Sequence, residues 1–202
     1  MADDHTDVVF KPLTPKLMAD LGVVLKGSWG ATCWCMFPRL TDKQMKELPG
    51  DGAIKERRRA AMTKLARRRS HAPGLVAFDG DEPVGWAALG PRPEFIRVDT
   101  SKATPPVDDA PVWIIPCITV RKAARGQGIA VALIQAATAY AFEKGAAAVE
   151  AYPRADEIRT GADNIYFGTE PLFRRAGFEV IRGPLEKRPK NWIARVAMRA
   201  TR

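Results

Sequence analysis

Residues 112–145 read VWIIPCITVRKAARGQGIAVALIQAATAYAFEKG. Val112–Val120 is apolar and rich in β-branched side chains, which predicts a strand. Arg121–Gln127 is a short basic loop. A helix is predicted from Gly128 to Lys144, with Gly145 placed for a left-handed C-terminal cap and Lys144 near the negative end of the dipole. Gly126 and Gly128 remove side chains just where the helix begins. The first turn of a helix carries N–H groups without partners, and with the macrodipole these form an anion site. A missing Cβ lets a phosphate approach the backbone closely. Arg121, Lys122 and Arg125 add positive charge. The stretch therefore predicts a phosphate cradle fed by a strand.

The nature of the phosphate ligand narrows by exclusion. A nucleotide P-loop needs Gly-Lys followed by Ser or Thr, and the chain has no such tripeptide. A dinucleotide fingerprint needs a third glycine, where this chain has Val131. What does match is Arg-x-x-Gly-x-Ala, as Arg125-Gly126-Gln127-Gly128-Ile129-Ala130. Flanked by an apolar strand and an Ala-rich helix, it resembles the acyl-CoA pyrophosphate motif of the GNAT N-acetyltransferase superfamily. Pro116 adds to this, because a proline within a strand marks a bulge or an edge.

The resemblance implies an α/β (α+β) fold with a central mixed, twisted sheet of about seven strands flanked by helices. It also implies a splayed parallel strand pair that holds CoA. The pantetheine arm would lie in the gap, against backbone groups of Ile118, Thr119 and Val120. Arg125, Gly126, Gln127, Gly128, Ile129 and Ala130 would hold the pyrophosphate. The co-substrate implied is acetyl-CoA, with no metal.

Taken in order, Asp7–Leu13 reads as a first strand. Thr14 and Pro15 then open a helix over Lys16–Leu25. Residues 27–40, GSWGATCWCMFPRL, are rich in Gly, Cys and Trp. Trp29, Trp34, Met36 and Phe37 either line an acceptor pocket or pack the core. Cys33-x-Cys35 has no second cysteine pair or nearby histidine to complete a metal site. Residues 53–69 predict a basic helix, read as a solvated face, an attraction for an acidic acceptor, or an RNA-binding surface. Leu75–Phe78 and Pro83–Leu89 form a hairpin across DGDE, and 90–111 is a long connection holding Glu94, Asp108 and Asp109. Beyond the central helix, Ala147–Tyr152 is a strand. It completes a right-handed crossover, so it should run parallel to Val112–Val120. A short helix capped by Thr169 ends at Gly177. Strands follow over Phe178–Ile181 and Asn191–Ala200.

LFRRAGF at 172–178 also resembles the family, whose members carry a tyrosine where this chain has Phe173. The resemblance covers about 75–181. It implies a single domain over 1–202, with residues 7–70 as acceptor-side helices. Direct acyl transfer to an amine needs a base for the ammonium and polarisation of the carbonyl; a departing thiolate is also helped by an acid. Phe173 has no proton to give. Glu150 and Tyr152, two residues apart and so on one face of their strand, are the expected base and acid. Glu94, Asp108 and Asp109 are rivals, and Cys117 is a further nucleophile.

Composition bounds the partners. The chain has 202 residues, three cysteines and a net charge of +9. Few and odd cysteines fit a reduced, cytoplasmic protein. No apolar run reaches membrane-spanning length, and the acidic start MADDHTDVVF is unlike a signal peptide. The positive charge attracts polyanions, CoA among them. The expected function is acetyl-CoA-dependent acylation of a small-molecule amine, with a homodimer as an open assembly. Acylation of a protein or peptide amine stands as an alternative, as does a non-catalytic CoA-binding or RNA-binding module.

Overall fold

The computed structural model describes residues 8–28, 30–155, 167–189 and 192–202. Trp29, the connection through 156–166 and the predicted strand start at Asn191 lie outside them. Strands form at β1 (Val8–Pro12), β2 (Gly74–Asp79), β3 (Glu82–Pro91), β4 (Trp113–Val120), β5 (Ala148–Ala151), β6 (Glu179–Arg182) and β7 (Ala197–Thr201). They make one seven-stranded sheet in the order β1-β2-β3-β4-β5-β7-β6. The sheet is mixed: β4 and β5 are parallel and the other pairs antiparallel. The predicted hairpin and parallel crossover both form. The last strand starts later than predicted, at Ala197. Ahead of it, Arg195 makes an isolated bridge to Arg154.

β4 departs from regular pairing where Pro116 stands. Against β3, Cys117 lies opposite Ala88 and Ile114 opposite Gly90, so β4 carries one extra residue across that interval. This is a β-bulge, the arrangement a strand adopts around a residue that cannot donate to the ladder. On its other side β4 pairs with β5 only at Trp113–Val149 and Ile114–Glu150. Beyond Ile114 the two strands part.

Helices cover both faces. α6 (Ile129–Glu143) and α7 (Glu170–Arg175) lie on one face. There Leu75, Ala87, Leu89 and Ile115 of the sheet meet Leu133, Ile134 and Ala137 of α6 and Phe173 of α7. The approach is close at Gly85, where an added Cβ would sit 3.3 Å from both Ala77 Cβ and Leu133 Cδ2. α1 (Met18–Leu25), α2 (Gly30–Cys33), α3 (Asp42–Lys46) and α4 (Ile54–Ala66) supply the other layer. Leu21, Leu25, Trp34 and Met62 pack there against Val76, Phe78, Trp86 and Cys117. Thr14 forms no side-chain cap, and the chain makes a 3-10 turn over Pro15–Leu17 before α1. Thr41 builds a capping box with Gln44 and starts α3. The basic helix is shorter than predicted, ending at Ala66.

The 90–111 connection is partly structured. A 3-10 turn spans Arg92–Glu94 and α5 covers Ile96–Asp99. Phe95 and Val98 pack on Ile114, Ala148, Tyr152 and Ala197, on the face opposite α6.

Candidate active site

The loop from Arg121 to Gly128 leaves β4, makes a 3-10 turn at Lys122–Ala124 and delivers the chain to α6. Gly128 is the residue before the helix, with φ 77°, and Gly126 has φ 83°. Side-chain residues seldom adopt these left-handed values, so the turn selects glycine twice. A Cβ built on either would meet nothing within 4 Å, so the space above the turn is open. Val131 and Ala132 donate their N–H groups to the Gly128 carbonyl. Among the described residues, no acceptor is found for the N–H groups of Gly126, Gln127, Gly128, Ile129 or Ala130. These donors lie at the positive end of a 15-residue helix. Arg125 is anchored beside them, its Nε donating to the Val120 carbonyl at 3.1 Å. Arg121 is drawn away to Glu82 at the β2–β3 turn.

The splayed part of β4 leads straight into this turn. Ile118 and Thr119 are half-buried, while Val120 is buried. Their backbones pair with Ala87, Trp86 and Gly85 on one side. Among the described residues, the side facing β5 has no strand partner here. This edge, the candidate slot, runs from the bulge to the glycine turn, and one of its acceptors, the Val120 carbonyl, is taken by Arg125 Nε. It can take an extended chain ending in a phosphate.

Glu150 and Tyr152 come together on the face opposite α6, as their spacing predicts. The Tyr152 hydroxyl donates to Glu150 Oε2. Sequence reading missed their partners. Arg199 Nε donates to Glu150 Oε1 at 2.9 Å, and Arg92 Nη1 contacts the Tyr152 hydroxyl. Arg92 also reaches Asp99 at 2.9 Å and the carbonyl of Val98 at 3.2 Å, and Arg199 makes two 2.8 Å contacts to Asp108. Glu150 is 1% exposed and Tyr152 2%. Burial first, then the bond to Glu150, pushes the Tyr152 hydroxyl above its ordinary range. A base or acid must reach the reacting atoms. Here both groups are closed in, with their polar atoms spent on each other and on two arginines. The signal available in the sequence was that a buried glutamate requires a cation, and Arg199 occupies an inward position of an alternating strand.

The other candidates also find structural partners. Glu94 Oε2 is 2.7 Å from Arg39 Nη1, and its Oε1 is 2.8 Å from Arg68 and 3.1 Å from His71 Nε2. Burial disfavours its charge, but Arg39, His71 and Arg68 outweigh that and hold the carboxyl below its usual range. Asp108 is likewise lowered, chiefly by Arg199. Phe173 is fully buried, edge-on to Phe178 at 5.0 Å. Trp34 and Met36 are buried in the N-terminal layer. Among the described residues, no three His, Cys, Asp or Glu side chains gather as metal donors, and no helix is long and apolar enough to cross a membrane.

The sequence pattern of the Acetyltransferase (GNAT) family matches residues 37–168. No curated protein matches the sequence. Among solved structures, an N-acetyltransferase from Staphylococcus aureus Mu50 is 15% identical with a TM-score of 0.53, covering 96% of this chain and 98% of its own. The aminoglycoside acetyltransferase AAC(6')-Ib, solved with paromomycin and acetyl-CoA, is 16% identical with a TM-score of 0.55, covering 97% of this chain and 94% of its own. The NatC complex bound to Gag peptide and CoA contains a chain 13% identical with a TM-score of 0.53, covering 96% and 98%. These likenesses establish a shared fold. The family match takes in the bulged strand, the glycine turn and α6, so the chain belongs to the GNAT acetyltransferase family.

Proposed function

We propose that the chain transfers an acetyl group from acetyl-CoA to the amine of a small molecule, by direct attack within one complex. One observation carries this reading. The left-handed turn at Gly126 and Gly128 stands at the end of a strand that, beyond Ile114, has no partner on its far side among the described residues. The N–H groups of 126–130 and Arg125 would hold the pyrophosphate, and Ile118, Thr119 and Val120 would pair through their backbone with the pantetheine arm. Backbone N–H groups of β4 that face the gap would polarise the thioester carbonyl. The amine nitrogen attacks the carbonyl carbon, the tetrahedral adduct collapses, and CoA leaves as thiolate.

Phe173 offers the thiolate no proton, and none is required for a sulfur leaving group of ordinary thiol acidity. Glu150 and Tyr152 are assigned as positioning residues, which hold Arg92 and Arg199 and so fix the 92–110 connection against the slot. Proton removal from the ammonium is assigned to solvent. Solved relatives in this fold are described with an aminoglycoside ligand and with a peptide, so the test spans both classes. Free CoA thiol is followed across a panel of small amines and peptides with acetyl-CoA as donor. The expected result is release that depends on a small-molecule amine. Release with peptides alone would move the acceptor class. Absence of acetyl-CoA binding by calorimetry would sink the reading.

A further inference from the structure

Two of the three cysteines meet in the layer between the sheet and the N-terminal helices. Cys35 Sγ lies 3.6 Å from Cys117 Sγ, across 82 residues of sequence. Both side chains are buried, Cys35 at 1% exposure and Cys117 at 8%. The Trp86 indole N–H donates to Cys35 Sγ at 3.0 Å, while the Cys35 thiol donates to Cys117, and that bond together with burial holds Cys35 well above its ordinary thiol value. The backbone here is unusual as well. Trp34 and Cys35 are the described non-glycine residues with positive φ, at 49° and 51°. Such residues persist only where their surroundings hold them, and they cluster at functional sites. Cys117 follows Pro116 at the bulge of the strand assigned to the donor.

We propose that Cys35 and Cys117 form a reversible disulfide in the folded chain, with a small hydroperoxide as oxidant. The Cys117 thiolate attacks the peroxide; an S–O bond forms, the O–O bond breaks, and water or an alcohol leaves. Cys35 sulfur then attacks Cys117 sulfur; the S–S bond forms, the S–O bond breaks, and water leaves. The two thiols lose two electrons and two protons, and the peroxide is reduced. Closing the pair brings the sulfurs to about 2.05 Å. The left-handed turn at Trp34–Cys35 is the segment that moves, and it is then pinned to the donor strand. Burial restricts the first step to small oxidants. Cys33 is an internal control: its sulfur accepts the Phe37 N–H at 3.3 Å.

The cross-link does not depend on the acetyltransfer reading, but its place beside the donor does. Folded protein is treated with hydrogen peroxide, quenched by alkylation, and mapped by peptide mass. The expected product has lost two hydrogens, links the Cys35 and Cys117 peptides, keeps an alkylatable Cys33, and returns to three thiols with dithiothreitol. Cys33→Ser should oxidise as the wild type does, and Cys117→Ser should give no link. A native protein that keeps all its thiols, joins Cys33 to Cys35, or yields only higher oxides would overturn the proposal. Calorimetry of acetyl-CoA on the reduced protein, run in parallel, reports on the donor site separately.

Discussion

At the scale of single residues, Gly128 and Glu150 carry the sharpest consequences. Gly128 sits at φ 77° with open space where a side chain would project. Gly128→Val imposes a left-handed β-branched residue, costing on the order of 1–2 kcal/mol in the turn, and fills the space assigned to phosphate. Calorimetry should show acetyl-CoA affinity falling at least tenfold, roughly the 1.4 kcal/mol equivalent. Full affinity in the variant would remove the cradle assignment. Glu150 faces Arg199 and Tyr152 in a buried cluster. Glu150→Gln should cost about 2 kcal/mol of stability, because a buried charge-assisted partnership is lost. If Glu150 is a positioning residue, kcat/KM in that variant keeps the wild-type pH dependence, rising with deprotonation of the amine. A base at this position would instead give a wild-type inflection that the variant lacks.

Among the elements, α6 and β4 act as a pair. The helix presents its N-terminal donors to the slot only if it lies close on the sheet, and Gly85 permits that approach. Gly85→Val places methyl groups against Leu133 and Ala77. Overpacking of this kind costs about 1–3 kcal/mol and pushes the helix outward. We expect a lower melting temperature together with weaker acetyl-CoA binding, passed on through α6 and the paired Val120. A melting temperature equal to that of the wild type would show that the helix has room to spare. Pro116 acts differently. It interrupts the pairing with β3 by a bulge, after which pairing resumes from Cys117 to Val120, and it lies just past Ile114, the last residue of β4 paired with β5.

Across the whole molecule, the N-terminal layer is tied to the β3–β4 connection by charge. Arg39, 6% exposed, donates to Glu94 and to the carbonyls of Pro73 and Leu89, and its guanidinium stacks 4.0 Å over Phe95. Glu94 in turn holds Arg68. Because the folded carboxyl is lowered relative to the unfolded chain, its contribution is fully present above the unfolded value of about 4.3. That contribution is lost as pH falls through the lower folded value. Melting temperature should therefore drop more steeply on acidification below about pH 4 in the wild type than in Glu94→Gln. Parallel curves for the two proteins would mean that the cluster adds nothing.

The sequence by itself determined the strand–turn–helix unit, the seven strands and the family, because these rest on local signals: period-2 and helical patterning, glycines at left-handed positions, and a proline that cannot pair. It also determined that Glu150 and Tyr152 share a face, since strand alternation is a property of the chain alone. What it could not determine was their surroundings. Arg92 comes from 58 residues before Glu150 and Arg199 from 49 residues after it, and no local pattern reports such a meeting. The same holds for Glu94 among Arg39, Arg68 and His71, and for Cys35 against Cys117. Whether a carboxylate works as a base or as a fastening depends on burial and on the donors that reach it. Those are set by the folding of distant segments onto one another, and only the tertiary structure decided them.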